Sequence, residues 1–171
     1  MTVLETERLL LTRLSYDHCE FIIELVNEPS FKQFIADKDV HSLEDARRYL
    51  REGPIGSYER LGYGLFLVTV KEAGIPAGIC GLVKREEFDD PDLGFAFLVR
   101  YRRNGYASES AGAVLEYGFG ELGLGRIIAM ADPDNEPSVR LLESLGFAYA
   151  RKVRMPDDDH DISLFSLQTQ A

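Results

Sequence analysis

Residues 92–147 read DLGFAFLVRYRRNGYASESAGAVLEYGFGELGLGRIIAMADPDNEPSVRLLESLGF. Asp92 to Val99 is an apolar run of strand length. Gly105 to Leu122 places Ala107, Ala111, Val114, Leu115 and Phe119 along one side, which predicts a helix stopped by Gly123 and Gly125. Arg126 to Ala131 is a second strand, and Ser138 to Leu145 a second helix closed by Gly146. Strand, helix, strand and helix in this order is the signature of a layered α/β arrangement.

The flanks extend this pattern. Arg8–Leu14, Gly64–Lys71, Pro76–Lys84, Phe147–Val153 and Ile162–Leu167 read as further strands, with a hairpin turn at Glu72–Ile75. Ser15 and Ser42 read as N-caps of helices over Asp17–Asn27 and up to about Glu52. Gly53–Gly64 reads as a short helix or loop, and Asn27-Glu28-Pro29 as a helix end. The predicted fold class is α/β (α+β): a mixed, mostly antiparallel sheet of about seven strands with helices on both faces, in one domain over residues 1–171.

Arg102-Arg103-Asn104-Gly105-Tyr106-Ala107 lies between a strand and the longest predicted helix. Gly105 lets the backbone approach a ligand, and free N–H groups at the helix start favour an anion. Two arginines add positive charge in an acidic chain, so this turn is a candidate pyrophosphate site. One strand later, Asn135 can cap a helix or bond a peptide-like ligand with its amide. Ser138 falls in that helix's first turn, where its hydroxyl can face a crevice beyond the strand end. Gly118–Gly123 matches G-x-G-x-x-G, but it ends a helix and precedes a strand. A dinucleotide site needs the opposite order, so these glycines read as a helix terminus.

R-x-x-G-x-A followed at this distance by N-x-x-S-x-R-L-L-E-x-L-G-F resembles the GNAT acetyltransferase superfamily. The nearest branch resembles the ribosomal-protein N-terminal acetyltransferases, whose opening is similar to Leu4–Leu11 and whose hairpin strand is similar to Pro76–Gly81. The resemblance covers nearly the whole chain. It implies acetyl-CoA as co-substrate and a sheet that splays at the fourth and fifth strands. The backbone of Phe97, Leu98 and Val99 would then bond the pantetheine arm, with a backbone N–H near Leu98 holding the oxyanion. Arg103 to Ala107 (Arg103, Asn104, Gly105, Tyr106, Ala107), with Arg102 beside them, would hold the pyrophosphate. Asn135 would bond the arm further along, and Ser138 would hydrogen-bond the departing thiolate. Many members carry a tyrosine acid where this chain has Leu142. Asp92 stands where the branch often has a glutamate, and would take a proton from the acceptor amine directly or through water. As a strand-start residue in an acidic loop, it also has a purely structural reading.

The implied reaction moves an acetyl group to a primary amine, either a protein N-terminus or a small molecule, in a ternary complex. The same fold could also be an inactive acyl-CoA-binding domain. An unrelated nucleotide-binding α/β protein is the third reading. The net charge of -10 and a pI of about 4.8 argue against nucleic acid and anionic membranes as partners. Glu20, Glu24, Asp45, Asp157–Asp159 and Asp161 on the presumed acceptor segments are compatible with a cationic acceptor. No run approaches the roughly 20 apolar residues of a membrane helix, and Met1–Leu14 lacks the pattern of a signal peptide, so a cytoplasmic protein is expected, monomeric or homodimeric. Cys19 and Cys80 read as reduced thiols in apolar surroundings, His18, His41 and His160 as surface residues. No metal is implied, because Asp157–Asp161 lacks EF-hand spacing.

Overall fold

The computed structural model describes residues 2–156 and 158–169. Among them, eight strands form one sheet: β1 Thr2–Glu5, β2 Leu9–Arg13, β3 Leu65–Val70, β4 Ile75–Val83, β5 Asp92–Phe97, β6 Arg126–Ala131, β7 Ala148–Val153 and β8 Ile162–Gln168. The spatial order is β1-β2-β3-β4-β5-β6-β8-β7. Every pairing is antiparallel except β5 with β6, which is parallel and joined at one pair alone, Asp92 with Ile128. The sheet is therefore mixed and mostly antiparallel, and beyond Asp92 the two central strands diverge.

The helices are α1 Cys19–Val26, α2 Pro29–Phe34, α3 Leu43–Leu50, α4 Gly56–Leu61, α5 Tyr106–Gly120 and α6 Glu136–Ser144. Strand alternation sends neighbouring side chains to opposite faces. Leu9, Leu11, Phe66 and Val68 pack with Ala111, Val114 and Leu115 of α5 on one face. Leu67, Ile79 and Leu98 pack with Ile22 and Leu25 of α1 and with Ala46 and Leu50 of α3 on the other. Each fully buried Leu or Ile contributes about 1.5–3 kcal/mol by leaving water, so the two layers together fix the sheet. Ile22→Ala, at a fully buried site, would cost about 2–5 kcal/mol.

Four elements differ from the sequence reading. β1 is an extra edge strand, short and with polar ends, held by pairing with Leu10–Thr12 of β2 and by Val3 and Leu4, which pack half-buried against the core. Pro29 ends α1's run but opens α2, since its missing N–H is no loss at a first helical position. α6 begins at Glu136, two residues early, for the same reason, with Pro137 in its first turn. Residues 51–61 are helical through a kink at Gly53. The G-x-G-x-x-G glycines end α5, and a Cβ on Gly118 would lie 2.9 Å from Ile127, so that glycine serves helix-to-sheet packing. Cys19 and Cys80 are buried and unpaired, and burial pushes the Cys80 thiol up to about 12.

Candidate active site

Asp92, Gly94 and Ala96 share the face of β5 that carries α1 and α3, while Leu93, Phe95 and Phe97 face α5. Asp92 sits where β5 and β6 are still joined, at the closed end of the gap. It is 4% exposed. Its Oδ2 accepts from Arg85 Nε at 2.7 Å. Burial pushes the Asp92 carboxyl up to about 6, and the Arg85 guanidinium limits the rise. That places a carboxyl with a raised proton affinity where the pairing of β5 and β6 ends.

At the open end, backbone direction decides which amides can meet a ligand. Leu98 N–H donates to Ala77 O in β4 at 2.9 Å, and its carbonyl accepts from Tyr101 N–H. Its side chain is fully buried. This corrects the expectation that Leu98 bonds the arm: its N–H and carbonyl are both spent within the fold, so an N–H for the oxyanion has to come from a neighbouring residue. Strand alternation turns the Phe97 N–H the other way, toward the gap. Phe97 pairs with Gly78, where any Cβ would strike the Ala96 carbonyl at 2.4 Å. Phe97 O accepts from Arg102 Nε at 3.1 Å. Val99 N–H is taken by the carboxylate of Glu28.

Arg102 folds back over the strand end. Besides Phe97 it bonds Ser30 Oγ at 2.8 Å and lies 3.8 Å from Glu28. Its charge is thus directed at the β5 end and α2, away from the turn it was expected to serve. Asn104 uses its side-chain amide to bond the carbonyls of Tyr101 and Arg102, which fixes the turn. Arg103 (φ 65°) and Gly105 (φ 80°) are left-handed, and Gly105 precedes α5 without any side-chain cap. The first-turn N–H groups of Tyr106, Ala107 and Ser108 therefore remain available to an anion. Arg103, two residues before Gly105, is exposed. Arg8, which the motif did not point to, adds a second cation: its guanidinium lies 4.7 Å from the Tyr106 ring centroid and bonds Glu109 at 2.7 Å.

Asn135 and Ser138 are half-buried at the start of α6, just past the end of β6. Asn135 occupies the N-cap position of α6, but its side chain makes no cap bond, and its amide has no hydrogen-bond partner among the described residues. Ser138 Oγ has no hydrogen-bond partner among the described residues. Diverging strands, an uncapped α5 and uncommitted polar groups on α6 together fit an extended ligand with an anionic head. A separate shallow groove of about 330 Å³ lies between α6 and the β7–β8 hairpin, and no predicted site residue lines it.

His160 is fixed at the far end of β6: Nε2 is 2.9 Å from Asp132 and Nδ1 2.8 Å from Asp159. The two carboxylates, Asp159 first, push its pKa up to about 9, which makes it a poor base at neutral pH. Sequence reading missed Glu28 and Arg8, because each acts through a long-range contact, and Arg85, which meets Asp92 across the connection from β4 to β5. Asp157 lies outside the described residues. No cluster of potential metal ligands occurs among the described residues, and no described helix is long and apolar enough to cross a membrane.

Residues 8–148 match the model of the acetyltransferase (GNAT) domain. The Bacillus subtilis (strain 168) protein YkkB is 37% identical over 97 residues, 54% of this chain and 56% of that protein, so the match spans little more than half of this relative. The uncharacterized N-acetyltransferase YnaD of the same organism is 30% identical over 141 residues, 82% of this chain and 79% of that protein. The solved structure of RimL, a ribosomal L7/L12 α-N-protein acetyltransferase in complex with coenzyme A, is 18% identical and superimposes with a TM-score of 0.83 over 98% of each chain, a likeness of fold. The family match and the geometry agree: this chain belongs to the GNAT acetyltransferase family.

Proposed function

We infer that the protein transfers the acetyl group of acetyl-CoA to a primary amine within a ternary complex. The observation that carries this reading is the gap between β5 and β6, closed by the single pair Asp92–Ile128 and ending on a carboxyl whose proton affinity burial has raised. Acetyl-CoA supplies an activated thioester: the amine nitrogen bonds to the acetyl carbon, the C–S bond breaks, and the thiolate leaves.

The chain's own groups do the rest. The amides at the start of α5, with Arg103 nearby, bind the pyrophosphate. The Phe97 and Val99 amides and the Asn135 side chain align the arm. Asp92, paired with Arg85, takes a proton from the acceptor ammonium, directly or through water. Ser138 hydrogen-bonds the thiolate; a serine hydroxyl is too weak an acid to need to give up its proton to a group with a pKa near 8.5. Alignment of two reactants in one cleft supplies much of the rate.

Thermal melting with acetyl-CoA, CoA, NAD and ATP tests the reading. A ligand at a hundredfold excess over its Kd stabilises by about 2.7 kcal/mol, enough to raise Tm by several degrees. The expected result is a rise with the two CoA species alone, and turnover of acetyl-CoA with an amine panel. Binding without turnover would leave an inactive acyl-CoA-binding domain, and no binding would remove the cofactor site altogether.

A further inference from the structure

One buried carboxylate ties down the segment that carries Asn135 and Ser138. Asp132 directly follows Ala131, the last residue of β6, at the end where β5 and β6 have diverged. Its side chain is 10% exposed. Oδ1 accepts from the Asp134 N–H at 2.9 Å, and the Asp132 carbonyl accepts from the Asn135 N–H at 2.9 Å. The Asn135 carbonyl then accepts from the Val139 N–H at 3.1 Å, closing the turn of α6 that holds Ser138. A buried carboxylate needs partners for both oxygens. The second partner comes from the β7–β8 connection: His160 Nε2 lies 2.9 Å from Oδ2.

The other ring nitrogen of His160 lies 2.8 Å from Asp159 Oδ1. With a carboxylate at each nitrogen, both nitrogens must donate, and only the imidazolium has two N–H groups. The charged ring therefore bridges the β6–α6 connection to the β7–β8 connection. Strand pairing joins these segments only up to Ala131 with Ser163.

We propose that Asp132 and His160 are positioning residues for the cofactor site: their contact holds the β6–α6 connection, and with it Asn135 and Ser138, where those side chains meet acetyl-CoA. This rests on the acyltransferase reading. Neither residue touches the cofactor. Loss of the ring proton leaves one carboxylate facing a nitrogen without a hydrogen, and the bridge opens on that side.

Below about pH 9 the ring is charged, because Asp159 and Asp132 push its pKa up to about 9. The other charged residues nearby in the chain are Asp134 on the β6–α6 connection, Asp158 and Asp161 on the β7–β8 connection, and Arg154, which bonds Asp161 at 3.1 Å and acts on Asp159. Carboxylates and arginines ordinarily keep one charge between about pH 7 and pH 10, so the imidazole is the group in this cluster that changes.

Calorimetric titration with acetyl-CoA, without an acceptor, tests the inference across that range. The parent protein's Kd should rise about threefold or more as pH passes through about 9. His160→Gln should bind at the weaker level already at pH 7 and show no step. His160→Arg, which keeps a cation with several donors, should bind like the parent at pH 7 and hold that affinity to pH 10. Asp132→Asn keeps an acceptor for the Asp134 N–H but loses the charge, and should follow His160→Gln. A role in packing alone would give no step at pH 9 and no rescue by arginine. Parent-like affinity of His160→Gln at pH 7, or a step that survives in it, overturns the inference and leaves the cofactor site standing. No binding by the parent protein at any pH removes the site and the inference together.

Discussion

The carboxylate of Glu28 accepts a hydrogen bond from the Val99 backbone N–H at 3.1 Å, bridging the start of α2 to the end of β5. It also lies 3.8 Å from Arg102 and is 17% exposed. In the inferred complex this N–H bonds the pantetheine arm. Binding must therefore displace Glu28 from Val99. Glu28 caps nothing in α2, so its removal does not uncap that helix. Glu28→Ala should tighten acetyl-CoA binding severalfold, since a net hydrogen bond of about 1 kcal/mol no longer competes. Calorimetric titration measures this. Unchanged or weaker affinity would take the Val99 amide out of the cofactor site.

Gly105 is held at φ 80°, and an added Cβ would meet Arg8 at 3.2 Å. A side chain in the left-handed region costs roughly 1–2 kcal/mol. Gly105→Ala should lower Tm by about 2–8 °C in a chain of this size. It should also weaken acetyl-CoA binding, because the first-turn amides of α5 would be displaced. A loss of stability with unchanged affinity would show that the turn is structural alone.

Asp92 must be ionised to accept a proton. Burial raises its carboxyl pKa to about 6, and Arg85 lowers it. Activity should therefore fall as pH drops through about 6, and kcat/KM against pH shows this acid limb. Arg85→Gln removes the lowering influence and should move the limb to higher pH. Asp92→Asn should reduce kcat about 10²–10⁴-fold while preserving the melting shift with acetyl-CoA. A limb that stays in place in Arg85→Gln would point to another group.

Local patterns carried much of this fold. The helix periodicity of residues 105–122, the Gly punctuation and the strand alternation each depend on neighbours in sequence, so they were readable. The turn at Arg102–Ala107 was legible because strand-to-helix junctions leave amides free wherever they occur, whereas α6 starts two residues ahead of its reading because Pro137 suits a first turn. What escaped reading depends on pairs far apart in the chain. Val99 meets Glu28 from 71 residues away, and Arg8 meets Glu109 from 101. Leu98 was misassigned for a related reason: period two gives the alternation of its amide but not its phase, which the bond to Ala77 sets. Arg102 looked like part of an anion site because it borders the glycine turn, yet the Phe97 carbonyl, Ser30 and Glu28 draw it back.

His160 provides a pH test of a different element. Its side chain links the β7–β8 connection to Asp132, whose side chain is 10% exposed at the end of β6. Asp159 and Asp132 raise its pKa from 6.5 to about 9. The folded protein thus binds this proton more tightly than the unfolded chain does. The resulting stabilisation is complete below about pH 6.5 and is lost as pH rises through about 9. His160→Gln should lower Tm at pH 6 and converge on the parent protein by pH 10. The acid limb attributed to Asp92 should stay where it is, because a histidine already protonated near pH 6 cannot produce it. A Tm difference that persists undiminished at pH 10 would mean that His160 acts by packing, with its charge on Asp132 irrelevant.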